Sequence, residues 1–431
     1  MAKRKSNRSS DAAKRPAKLL TRIAIVLLII VIILLVIYLI RPDLFNRAFD
    51  QFNDYKPPAT GELPEGDVTE ITSAELSIHF IAPEVRASGD CTLIKVGETE
   101  VLIDAGPTQG NASAIKDYLE DYCTDGVIEY VIATHADSDH IAGLVGTSSG
   151  GSYNGILYSY QIGTIIQFNQ TNKDDETASG NPTLYGRYLT AVEYARDNGA
   201  DVYTALDCYN SQNGAQSTYY LDDEHKISMN ILYNYYYENA SSDENNYSVC
   251  MLLSQEISAE QTNHYLFTGD LEEDGEERLV QNNDLPEVEL YKAGHHGSKT
   301  SSNDCLLEVI KPKNVVVCCC AGYNEYGAAE ENIFPTQAFI DRIDGYTQNV
   351  YVTIMDDGEN NTFAPMNGDI VFYYKTAEGE EEAGLRLWCS QNTAVLKDTD
   401  WFKANRTSEE WGWSQSDKES FAVQQLSLIH I

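Results

Sequence analysis

The chain has 431 residues, 42% of them apolar, which is enough for one large domain or two ordinary ones with a real core. Residues 1–41 hold nine Lys or Arg and one acid, Asp11, so the remainder carries 21 bases against 65 acids, a net of −44. A body so acidic excludes a broad polyanion-binding face, and stable binding of duplex nucleic acid is not expected.

Residues 1–18 read as a basic tail. The stretch Ile23–Ile40, "IAIVLLIIVIILLVIYLI", is eighteen residues without a charge. As a helix it would run about 27 Å, close to the thickness of a hydrocarbon core. A cleavable signal peptide is the competing reading, but "RPDLFNRAFD" follows with no small-x-small cleavage site. Residues 19–41 therefore read as an uncleaved, single-pass signal anchor. Lys3, Arg4, Lys5, Arg8, Lys14, Arg15, Lys18 and Arg22 precede the span, so the N-terminus is expected in the cytoplasm and the body outside it, at the cell membrane. Residues 42–73, rich in Pro, Gly and acids, read as an extracytoplasmic linker.

The pattern changes near Glu75. "LSIHFIA", "CTLIKVG" and "TEVLIDAG" are short apolar or alternating runs broken by Gly, hence strands. "NASAIKDYLEDY" has helical spacing after an Asn, "EYVIATH" and "GTIIQF" are buried strands, and "TLYGRYLTAVEYARDNG" is a helix ending at a Gly stop. The second half repeats the style. "ISMNILYN", "YSVCMLLS" and "HYLFTGD" are strands, "EEDGEERLVQ" a helix, "VELYKAGHH" a strand and "NDCLLEVI" a helix. "NVVVCCC" is a strand, "PTQAFIDRI" a helix, and "NVYVTIM" and "GDIVFYYK" close the series as strands. Meandering strands followed by alternating strands and helices, twice over, suit a layered α/β body with two sheets, helices outside and a site along one edge. Residues 377–431 begin at an acidic turn and hold all four tryptophans. This extension reads as a tail packing back on the body, with an aromatic platform for a sugar or wall polymer as the alternative. The nine cysteines lack any C-x-x-C, and their pairing is not legible.

"ATHADSDHIAG", residues 133–143, sets His135, Asp137, Asp139 and His140 directly after an apolar strand, in a turn before "HIAGLVG". Imidazole and carboxylate suit zinc, manganese or iron, and two aspartates make the set oxygen-rich. The bland alternative, a solvated polar turn, predicts no matching donors elsewhere. Yet "HYLFTGD" ends in Asp270, and "VELYKAGHHGS" ends in His295 and His296. Three strands each delivering donors at one end form a constellation. Asp104 in "LIDAG" reads as a fourth donor or as an Asx turn.

The stretches "SGDCTLIKVGETEVLIDAG", "THADSDHIAG", "LFTGDLE" and "KAGHHGSKTSS" occur in the order found in the metallo-β-lactamase-fold hydrolases. The chain resembles that family over roughly residues 74–376, and most closely the hydrolase domain of the DNA-uptake protein ComEC. The resemblance implies a four-layer αββα sandwich and two divalent metal ions, Zn or Mn. His135 and Asp137 look like ligands of one metal, and Asp139 and His140 like ligands of the other. Asp270 is similar to the bridging aspartate, and His296, or else His295, looks like the last ligand. Asp104 looks like a structural acid beside the metals, behind their ligands. Two departures stand out. Most of the superfamily has His in place of Asp137. Most also has a further His before the bridging Asp, where "ENNYSVC" offers Asn245, Asn246 and Ser248. The multi-span channel of ComEC is absent, so an uptake role does not transfer.

Two adjacent cations would bring the pKa of a bound water from 15.7 towards about 7 and yield a hydroxide nucleophile. Asp139 and Asp270 are the catalytic carboxylates on this reading. Ser298, Lys299, Ser301 and Ser302 follow the last ligand, and Lys299 would pair with a phosphate oxygen. Asn246, Ser298 and Lys299 thus join Asp104 around the metals or substrate. The expected function is a membrane-anchored phosphodiesterase or nuclease, acting on an oligonucleotide or a cell-wall polymer. The alternatives are a carbonyl hydrolase, for a lactone or β-lactam, on the same centre, or a non-catalytic surface binding protein.

Overall fold

The computed structural model describes residues 70–149, 152–327, 329–377 and 382–429. The basic tail, the apolar span and the expected linker as far as Thr69 lie outside them. Among the described residues no helix is long and apolar enough to cross a membrane.

Two eight-stranded sheets organise the body. The first is built from β1 (Leu76–Phe80), β2 (Thr92–Val96), β3 (Thr99–Ile103), β4 (Val127–Ala133), β5 (Gln161–Gln167) and β6 (Asp201–Thr204). The second holds β7 (Thr218–Tyr220), β8 (Ile227–Ile231), β9 (Met251–Ser258), β10 (Gln261–Phe267), β11 (Leu290–Lys292), β12 (Asn314–Ala321), β13 (Val350–Asp357) and β14 (Thr362–Pro365). The chain then returns to the first sheet as β15 (Ile370–Lys375) and β16 (Gly384–Cys389), giving the order β16-β15-β1-β2-β3-β4-β5-β6. The second sheet runs β14-β13-β12-β11-β10-β9-β8-β7.

Connection length decides the direction of pairing. β2 and β3 are joined by Gly97 and Glu98, with Gly97 at φ +58, so they pair antiparallel from Val96↔Thr99. Where a helix intervenes, the strands pair parallel. Ala112–Leu119 separates β3 from β4, Ser138–Val145 separates β4 from β5, and Leu184–Asp197 separates β5 from β6. In the second sheet Glu273–Asn282, Asp304–Ile310 and Gln337–Ile343 connect β10, β11, β12 and β13 in the same manner.

Side-chain alternation then divides the core. On β12, Val316 and Cys318 join the apolar cluster that contains the first sheet, whereas Val315, Val317 and Cys319 pack with Leu306, Phe339 and Ile340 of the outer helices. The expected mixed α/β body with two sheets is present. All nine cysteines are free, and Cys318–Cys320 behave as small apolar residues of a buried strand.

The expected separate extension also contributes to this body. β16 pairs with β15 from Lys375↔Gly384 to Ile370↔Cys389 and places the buried Trp388 on the sheet. The indoles of Trp411 and Trp413 donate to the Thr347 and Lys403 carbonyls, and Arg406 stacks over Trp401. The tryptophans therefore pack inward, as the plainer sequence reading has it.

Candidate metal centre

Parallel strands bring their C-terminal ends to one side, where open α/β sheets bind ligands. β3 and β4 deliver Asp104 and His135 from one sheet, while β10 and β11 deliver Asp270 and His296 from the other. The helix after β4 starts at Ser138, three residues earlier than the apolar pattern begins. Asp137 is its N-cap residue, and Asp139 and His140 lie in its first turn rather than in a turn ahead of it. Backbone bonds stitch this turn to two neighbouring loops. Asp90 N donates to Asp139 O (3.0 Å), Gly106 N to Asp90 O (2.8 Å) and Ala105 N to His140 O (2.7 Å).

Asp139, His140, Asp270 and His296 are buried, and their ligand atoms lie within 4.8 Å of one another. His140 Nε2 is 3.1 Å from Asp270 Oδ2, and His296 Nε2 is 3.2 Å from both Asp270 Oδ2 and Asp139 Oδ2. The opposite ring nitrogens are anchored: His140 Nδ1 lies 2.8 Å from Asp104 Oδ2, and His296 Nδ1 lies 2.9 Å from the Cys318 carbonyl. Such outer bonds fix a tautomer and turn Nε2 towards a metal. Asp104 also accepts from Thr134 N (2.8 Å) and Thr134 Oγ1 (2.6 Å). His135 lies tilted against His140 at 4.1 Å between centroids, and its Nε2 lies 3.7 Å from Asp137 Oδ2.

The remaining sequence candidates separate. His295 is placed outside the four-residue group. Its Nδ1 lies 3.2 Å from Glu272 Oε1 and 3.2 Å from Thr300 Oγ1, and it lines a cavity of about 630 Å³ with Asp137, Asp139, Asn245, Asp270 and Tyr326. Both histidines hold positive φ, 44° and 55°, a tight reversal that sends their rings apart. Asn245 faces this cavity, whereas Asn246 accepts from Glu272 N (3.3 Å) and braces the loop after β10. Ser248 Oγ donates to Asn245 O (2.7 Å) and accepts from Asp270 N (3.1 Å). Ser298 bonds within its own loop to Thr300, and Ser302 pairs with Gly294 N and Tyr291. Lys299 pairs with Glu331 at the surface, 2.7 Å, and is not among the cavity-lining residues. The chemistry anticipated for it has no support in this placement.

Residues the sequence did not single out complete the centre. Lys292, 3% exposed, pairs with Asp90 and with Asp270 Oδ1 (3.2 Å) and donates to the Gly269 carbonyl (3.1 Å). Lys173 pairs with Asp137 Oδ1, and Tyr326 donates to Asp139 Oδ2 (2.7 Å).

The electrostatics favour a bound cation. Burial opposes charge on His140 and His296, but Asp270 with Asp104, and Asp270 with Asp90, hold both rings well above the usual imidazole range. Burial and the adjacent His140 charge push His135 down to about 3, leaving it neutral. Burial would raise Asp270, yet His140, His296 and Lys292 hold it well below the carboxylate range. Nε2 of His135 is buried and makes no hydrogen bond, while that of His140 faces the Asp270 carboxylate. Such an orphan is costly unless something accepts its lone pair. The nitrogen-and-carboxylate donor set fits divalent zinc or manganese.

Residues 86–156 match the family model described as Metallo-beta-lactamase superfamily. No curated protein matches the chain. Among solved structures, the metallo-beta-lactamase fold protein YhfI from Bacillus subtilis is 9% identical over 65% of this chain and 96% of its own, with a TM-score of 0.34. MEM-A1, a subclass B3 metallo-beta-lactamase from a soil metagenome library, is 13% identical over 44% of this chain and 61% of its own, TM-score 0.24. BJP-1, the subclass B3 enzyme of Bradyrhizobium japonicum, is 12% identical with the same coverages and TM-score. The chain thus spans about three fifths of the length of these two enzymes. The segment that matches the superfamily model contains Asp90, Asp104, His135, Asp137, Asp139 and His140.

Proposed function

We propose that the chain is a metal-dependent hydrolase of phosphodiesters, tethered to the cell membrane by residues 19–41 with its body on the extracytoplasmic side. The observation that carries the enzymatic reading is the buried group Asp139, His140, Asp270 and His296, beside the buried Nε2 of His135, which makes no hydrogen bond. His135 and Asp137 would hold one divalent ion, Asp139, His140 and His296 the other, and Asp270 would serve both. When bound, the ions supply an activated water and neutralise charge on the reacting phosphate.

The chain's own residues prepare that site. Asp104 holds His140 by Nδ1 and so turns its Nε2 towards the centre. Lys292 occupies Asp270 Oδ1 and leaves Oδ2 towards the two rings. Glu272 and Thr300 hold Nδ1 of His295, which leaves its Nε2 to hand a proton to the departing oxygen. Asp90, Asp104, Asp137, Asp139 and Asp270 gather there with Lys173 and Lys292, and divalent ions would offset their excess negative charge.

The oxygen-rich donor set favours phosphoryl over carbonyl chemistry. The cavity also carries Asp243, Glu272 and Glu325, so a short phosphodiester, an oligonucleotide end or a cell-wall polymer segment, suits it better than a long polyanion. The test is hydrolysis of bis-p-nitrophenyl phosphate beside a chromogenic lactam, with manganese or zinc supplied. Turnover of the phosphodiester is expected, and turnover of the lactam alone overturns the substrate assignment. Asp270→Ala should lower the rate by about 10³-fold or more, the scale of losing a principal electrostatic stabiliser, with an unchanged circular-dichroism spectrum. Full activity in that variant would place the chemistry elsewhere.

A further inference from the structure

Lys173 stands on the loop between β5 and the helix Leu184–Asp197. Its ammonium pairs with Asp137 Oδ1 while its side chain keeps 42% of its exposure. The base of this lysine is fixed. The buried Glu244 accepts from Asn172 N (2.6 Å), Thr171 Oγ1 (2.7 Å) and Ala136 N (3.3 Å), so one carboxylate fastens the lysine's loop to the ligand loop. Asp137 Oδ2 lies 3.7 Å from the orphaned Nε2 of His135. This cation position is therefore served by one ring and by one carboxylate already shared with an ammonium. The other position differs. Its lysine, Lys292, is 3% exposed and bonded to Asp90, Asp270 and Gly269, so it has no route to solvent. Among the described residues, Lys173 and Lys292 are the lysines that ion-pair with the centre's carboxylates, and Lys173 alone of the two has solvent to move into.

Resting on the metal-centre reading above, we propose that Lys173 is a built-in competitor for the His135–Asp137 cation position: the chain loads its two divalent ions unequally, and the second ion displaces the lysine from Asp137. A divalent ion brings twice the charge of an ammonium but gives up a more tightly held water shell, so displacement awaits a higher ion concentration. Chemistry that needs both ions is then set by the free divalent-cation level, with Lys173 fixing the threshold.

The experiment is calorimetric titration of Mn²⁺ into the chelator-stripped full-length chain in detergent, compared with Lys173→Met and Lys173→Arg. The wild type should show two binding events, the second weaker. Lys173→Met should tighten the second about fivefold, the scale of a part-exposed ion pair, and leave the first within about twofold. Lys173→Arg, which keeps the charge, should restore the wild-type second event. Two unequal events that are the same in Lys173→Met overturn the role of Lys173 and leave the metal centre standing. Two equal events in the wild type do likewise. A wild-type chain that takes up no Mn²⁺ overturns both.

Discussion

Asp104 sits at φ +58, an uncommon backbone conformation for a residue with a side chain, and is fully buried. It is held there by three bonds, from Thr134 N, Thr134 Oγ1 and His140 Nδ1. Its placement is that of a carboxylate that aims a ligand, the outer acid implied by the family resemblance rather than a direct donor or an Asx turn. Asp104→Asn should lower Mn²⁺ affinity about 10–100-fold, the usual cost of losing a ligand's outer partner, with secondary structure intact. The adjacent histidines separate by measurement as well. His296→Ala should abolish one binding event in the same titration. His295→Ala should keep both events and slow phosphodiester turnover about 10²-fold or more. Loss of an event in His295→Ala would exchange their roles. Donors that follow an apolar run, such as His135, Asp270 and His296, are legible because the signal is local. Asp90 and Lys292 are not. Asp90 precedes a strand in "SGDCTLI" and looks like turn chemistry, and Lys292 ends a short apolar strand like any solvated lysine. Only the packing of one sheet on the other joins them. Lys173, in "NQTNKDD", carries no pattern at all.

Among the elements, the contact between the loop after β3 and the start of the helix Ser138–Val145 is the tightest. A Cβ built on Gly106 would lie 1.6 Å from the Asp139 carbonyl oxygen, a backbone atom that cannot move without the turn that carries Asp139 and His140. Gly106→Ala should therefore destabilise the fold by about 1–3 kcal/mol, as overpacking does, and also weaken Mn²⁺ binding. A thermal midpoint unchanged from wild type would mean that the loop has slack. The long elements are legible from periodicity, including the strands and connecting helices of the three parallel pairs in the second sheet. The early start of this helix is missed because its apolar spacing begins at Ile141, while Asp137, the N-cap, is read as a metal ligand. β6, β7, β14 and β16 are missed as well. All four are the terminal strands of the two sheets, two per sheet, whose pairing depends on neighbours rather than on an inherent alternation.

For the whole molecule, the centre is a store of negative charge that folding concentrates. Without bound cations, five carboxylates face two lysines and the rings of His140 and His296, and the fold loses whatever ion binding contributes. Saturating Mn²⁺ at a hundredfold over its Kd should stabilise the native state by about 2.7 kcal/mol, visible as a raised thermal midpoint that a chelator reverses. A midpoint indifferent to both would argue against a resident ion. The first sheet holds a different lesson. β1 lies between β2, which follows it directly, and β15, whose register runs from Leu76↔Tyr374 to Phe80↔Ile370. During synthesis the earliest strand keeps one bare edge until almost the last one has emerged. Closure of that sheet is a late, long-range event, slow by the rule that distant contacts delay folding.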